Sequence, residues 1–66
     1  MNALFRLQRA TVDARVRTGD PAINVIIGKG QAQIVRVTYN DKCTSTVTPM
    51  GTPDTPEAII TKLKAL

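Results

Sequence analysis

The stretch INVIIGKGQAQIVRV, residues 23–37, comes nearest to a ligand-binding motif in this chain. Gly28-Lys29-Gly30 sets a lysine between two glycines, as loops that cradle phosphates do. A Walker-type loop needs glycine, four residues, then Gly-Lys-Ser/Thr, with a helix following whose first amides face the phosphate. Ile23 stands where the first glycine belongs, Gly30 stands where Ser or Thr belongs, and QAQIVRV continues as a strand. A dinucleotide fingerprint fails for the same reason. Gly28 and Gly30 are instead expected to permit positive φ in a tight hairpin turn. Lys29 is then an exposed charge at the hairpin tip, able to touch a partner.

Other chemistry is sparse. The chain has no histidine, so the commonest general base is missing and neither Ser-His-Asp nor Cys-His arrangements can exist. The acids are Asp13, Asp20, Asp41, Asp54 and Glu57, and no spacing among them suggests paired carboxylates. Local hydrogen bonds in turns and caps account for Asp20, Asp41 and Asp54. Cys43 is the single cysteine. It has Lys42 beside it, but strand neighbours point to opposite faces, so it is expected to be a small buried or half-buried residue. One thiol and no imidazole cannot build a tetrahedral zinc site. We therefore expect no enzyme, no cofactor and no metal.

Arginines offer the remaining polar signal. Arg6, Arg9 and Arg17 recur with Asp13 at helical spacing, and Arg15 lies nearby. A planar guanidinium suits phosphate or carboxylate. Net charge is +4, from nine basic and five acidic residues, which favours polyanions or acidic protein surfaces. Single-stranded nucleic acids usually also need aromatic stacking platforms. Only Phe5 and Tyr39 are available, and Phe5 is expected in the core. The bland alternative for these arginines is a solvated helix face.

The elements that position these residues can be read in order. Residues 2–18 read as a helix, with Asn2 as N-cap, Gly19 as stop, and Arg15 and Arg17 in the last turn. The alternation in TVDARVR leaves a strand open as the alternative from about residue 10. Residues 22–28, 31–39 and 42–48 read as strands, rich in β-branched types, with Asn40-Asp41 as a turn and the third strand at an edge. Pro49 and Pro53 are expected to end the ladder. In TPEAIITKLKAL, Thr55 suits an N-cap, Pro56 the first helical position and Glu57 the first turn. Ile59, Ile60, Leu63 and Leu66 form its apolar face.

Together these give one small α+β domain over residues 1–66: an antiparallel meander of about three strands, with a C-terminal helix on one face and an N-terminal helix at its side. Hairpin register decides which face is which, because a one-residue slip flips every side chain. A two-residue loop groups Ile23, Val25 and Ile27 with Ala32 and Ile34, a clean face for the C-terminal helix. Ile26, Val35, Val37 and Tyr39 then lie on the second face. That face is expected to be covered by the N-terminal helix through Leu4, Leu7 and its alanines; a second subunit or a foreign protein is the alternative.

A chain of 66 residues has a marginal core and cannot staple it with an internal disulfide. Self-association or docking on a larger protein is therefore expected. No apolar run approaches the roughly 20 residues that span a bilayer, and MNALFRLQRA lacks a signal-peptide apolar stretch. A cytoplasmic chain is expected. The order helix, meander, helix in so short a chain resembles small bacteriophage proteins, including head–tail joining proteins and inhibitors of host factors. That resemblance is one of size and element order, and no motif transfers residue roles. The sequence favours a non-enzymatic protein-binding module, an oligomeric assembly component or a small inhibitor or adaptor. A small basic nucleic-acid-binding regulator is the alternative. The residues expected to meet a partner are Arg6, Arg9, Arg15, Arg17, Lys29, Ile26, Val35, Val37 and Tyr39.

Overall fold

A computed structural model describes residues 3–42 and 44–66; the expectations for Asn2 and Cys43 lie outside the described residues. Helix α1 spans Ala3–Thr18, strand β1 Ile23–Gly28, β2 Gln31–Tyr39, β3 Ser45–Pro49 and helix α2 Pro56–Lys64. The strands form an antiparallel sheet in the order β1-β2-β3. The expected α+β class and meander are observed.

Helix α1 runs unbroken through the stretch where helix and strand competed. Its buried residues are Leu7, Ala10, Thr11 and Ala14, a helical stripe of mostly small side chains. Thr11, the polar member, donates its hydroxyl to the Leu7 carbonyl at 2.8 Å. Gly19 stops the helix: its φ is +71°, and its N–H donates to the Arg15 carbonyl at 2.9 Å. Helix α2 begins as its sequence implies. The Thr55 hydroxyl accepts from the Ala58 N–H, Pro56 opens the helix and Glu57 sits in the first turn.

The β1–β2 turn is the two-residue loop Lys29-Gly30, with φ of +54° and +76°. Those values match the turn type whose twist suits a hairpin. Gly28 does not carry positive φ, contrary to expectation; it ends β1 and pairs with Gln31. The register aligns Val25 with Ile34 and Ile27 with Ala32, so the apolar set falls on one face as expected. Ile23, Ala32 and Ile34 from that face meet Leu7, Ala10 and Ala14 of α1 and Ile59, Ile60 and Leu63 of α2 in one core.

That composition corrects one expectation. The N-terminal helix does not cover the second sheet face; it lies beside α2 on the same face. Its stripe of alanines lets α1 approach α2 and β1 together. Leu4 and Phe5 fall off that stripe and are about half exposed, so neither is core. Leu66 lies beyond the end of α2 and is 41% exposed. Ile27 is half exposed near the hairpin tip.

The ladder does not end at Pro49. The Met50 N–H donates to the Ile34 carbonyl at 2.9 Å, and Ala32 and Asp54 exchange backbone bonds of 2.8 and 2.9 Å. Residues 50–53 oppose only Gln33 and Ile34, so the connector bulges and then resumes pairing before α2. A proline removes one donor, not the acceptors and donors beyond it. Among the described residues no helix is long and apolar enough to cross a membrane.

Candidate functional site

The arginines of α1 do not form one free face. Arg6 grips Glu57 at the start of α2 with two bonds, Nη1 to Oε1 at 3.1 Å and Nη2 to Oε2 at 2.7 Å. Arg17 donates to the last carbonyls of α2, from Nη2 to Leu63 at 2.6 Å and from Nε to Leu66 at 3.1 Å. Arg15 points elsewhere, its Nε donating to the Ile23 carbonyl at 2.6 Å. Arg9 pairs with Asp13 at 3.6 Å, one helical turn away, and both side chains are well exposed. Helical phase explains the division: Arg6 and Arg17 face α2, Arg15 faces β1, and Arg9 faces water. Three of the four arginines thus stitch the fold together. Lys29 occupies the hairpin tip, as expected.

In the α1–β1 turn Asp20 accepts from the Ala22 N–H at 3.0 Å and from the Arg36 guanidinium. The Arg36 bond, with the Ala22 bond behind it, holds the Asp20 carboxyl below its ordinary value. This pair ties the α1–β1 turn to β2.

On the sheet's second face the strand alternation places Asn24 and Ile26 of β1, Gln33, Val35, Val37 and Tyr39 of β2, and Val47 of β3. Neither helix lies there. Ile26 and Val47 are half exposed, and Tyr39 is 78% exposed. Val37 is half-buried and faces Val47 across the strands. Val35 differs from expectation. It is fully buried at the centre of the sheet, with Asn24 and Pro49 on either side, so it supports the face without presenting itself to a partner. Sequence reasoning left Val47 out. A two-residue Asn40-Asp41 turn would set Thr44 opposite Val37; the Asn40 N–H instead donates to the Thr44 carbonyl at 3.0 Å, and that register sets Val47 opposite Val37.

Backbone groups at the two sheet edges are equally specific. The Val37 N–H donates to the Ala22 carbonyl at 2.8 Å, which fixes the bonding phase of β1. Ile23, Val25 and Ile27 therefore turn their backbone groups outward. Two of those groups are occupied, Ile23 C=O by Arg15 and Val25 N–H by Asn24 Oδ1 at 2.8 Å. The bonds from Met50 to Ile34 and from Asn40 to Thr44 fix the phase of β3. Ser45, Val47 and Pro49 turn outward there.

Surface grooves flank α1 on both sides. One of about 330 Å³ lies between α1 and β1, lined by Thr11, Val12, Arg15 and Ile27 among others. Another of about 350 Å³ lies between the helices around Phe5, Arg9 and Ile60. Among the described residues no group of His, Cys, Asp or Glu side chains could hold a metal ion. No protein-family model, curated protein or solved structure matches the chain.

Proposed function

We propose that this chain is a non-enzymatic, cytoplasmic protein-binding domain that meets its partner through the helix-free face of its sheet. One observation carries this reading: both helices pack on the same face, leaving Ile26, Val47 and Tyr39 exposed on the other. Apolar side chains grouped on a rigid sheet mark interaction sites on small domains. Tyrosine suits such a surface because it combines a large apolar ring with a hydroxyl. The nucleic-acid alternative is weakened by the engagement of Arg6, Arg15 and Arg17 with acceptors of this same chain.

The test compares the wild-type chain with Ile26→Asp, Tyr39→Asp and Arg9→Glu in affinity capture with mass-spectrometric identification. A protein partner retained by Arg9→Glu and lost by both face variants supports the proposal. Retention by both face variants overturns it, as does a gel shift of nucleic acid that weakens steeply with salt and needs Arg9.

A further inference from the structure

We propose that β3 is a self-pairing edge, through which two copies of this chain join antiparallel strands about a two-fold axis at Val47. The proposal goes beyond the face just described and does not depend on it.

The two edges of the sheet are treated differently. On β1 the Arg15 guanidinium and the Asn24 side chain occupy outward backbone groups, as protected edges do. Among the described residues no side chain bonds the outward backbone groups of β3, and Pro49 with the bulge after it confines the free edge to Ser45–Pro49. Every residue of Ser45–Pro49 is exposed, and α1 and α2 pack on β1 and β2 without touching β3. Nor does β3 carry any charge, although lysine on the strand is a common guard.

Its sequence says what fits. Ser45-Thr46-Val47-Thr48-Pro49 is nearly symmetric about Val47. Val47 turns its N–H and C=O outward, so two copies exchange both bonds on the axis. Each Ser45 N–H then reaches the Pro49 carbonyl opposite. Pro49 has no N–H to offer, which ends the new ladder there. Thr46 faces Thr48 of the second copy, and the valines meet side by side; both are favourable cross-strand pairs. Isologous contact requires this self-complementarity.

Two chains of net charge +4 repel, but the contact strand itself brings no like charges together. Pairing would yield a six-stranded sheet with its helices on one side and one continuous helix-free face on the other.

Light scattering of the full chain from micromolar to millimolar concentration tests this, with circular dichroism confirming the fold of each variant. The expected mass is twice 7.1 kDa at the upper end. Val47→Lys sets two like charges together on the axis and is expected to weaken association at least tenfold. Val47→Cys in a Cys43→Ser background is expected to give a covalent dimer on oxidation, since paired Cα atoms about 5.5 Å apart suit a disulfide. Ile26→Asp is expected to leave the dimer intact while removing partner binding to the face. A monomer at every concentration, or a dimer that survives Val47→Lys and is lost in Ile26→Asp, overturns the proposal.

Discussion

Arg6 of α1 and Glu57 of α2 meet in a two-pronged ion pair, with bonds of 3.1 and 2.7 Å. The residues are 51 positions apart, so this pair joins the two ends of the chain. It also sets a helix-start carboxylate against a cation, where the dipole of α2 already favours negative charge.

This pair gives a first expectation. Both side chains are about half exposed, which limits the gain. A double-mutant cycle of Arg6→Ala and Glu57→Ala in urea is expected to show a coupling of about 0.5–1 kcal/mol, falling at high salt. A coupling near zero at low salt would mean that solvent already screens the pair.

Acid stability should report the Asp20–Arg36 pair. Asp20 is held below its ordinary value, first by the Arg36 hydrogen bond and then by the Ala22 N–H. A carboxyl with a lowered folded pKa stabilises the fold above its unfolded value, about 3.9. That contribution is lost as pH falls through the folded value. Thermal melts from pH 6 downward should show a steeper acid loss for wild type than for Asp20→Asn, and parallel curves would contradict it.

Much of this was legible from residue order. Thr55-Pro56-Glu57 carries its own helix start, and the alternation through Ile23, Val25, Ala32 and Ile34 selected the register. The placement of α1 was not legible. Leu7, Ala10 and Ala14 say that a helix packs somewhere, but choosing between the two sheet faces is a tertiary competition that local pattern does not encode. The arginines misled for the same reason. Spacing put Arg6, Arg9 and Arg17 on a stripe, yet the partners of Arg6 and Arg17, Glu57, Leu63 and Leu66, lie far along the chain. Pro49 was read as an end because a lost donor is visible in sequence, whereas the bulge that follows it depends on β2.

The hairpin turn holds Lys29 at φ +54°, a region that side chains other than Asn, Asp and Gly enter at a cost. Lys29→Asn should therefore stabilise the domain by about 0.5–1 kcal/mol, making the favoured Asn-Gly turn. Gly30→Ala should destabilise it, since Gly30 has φ +76°. Gly28→Ala is expected to be close to neutral, because an added Cβ there meets open space. Denaturation midpoints in that order would locate the glycine requirement at residue 30 alone.

The last expectation concerns Arg17, which closes the far end of the helix pair. Its guanidinium reaches the carbonyls of Leu63, which also accepts the Leu66 N–H at 3.2 Å, and of Leu66 beyond the helix end. Leu63 is also fully buried in the core, so the same residue is held by packing on its side chain and by Arg17 on its backbone. Removing the charge-assisted bonds with Arg17→Ala should cost about 1.5–3 kcal/mol and speed amide exchange in the last turn of α2 before that of β2. Arg17→Lys should recover only part of the loss, since an ammonium cannot span two carbonyls as a planar fork does. Leu63→Ala removes the packing instead and should cost about 2–5 kcal/mol. In a domain with so small a core that loss approaches the whole folding free energy. Exchange should then rise across all elements together, which separates a frayed helix end from a failed core.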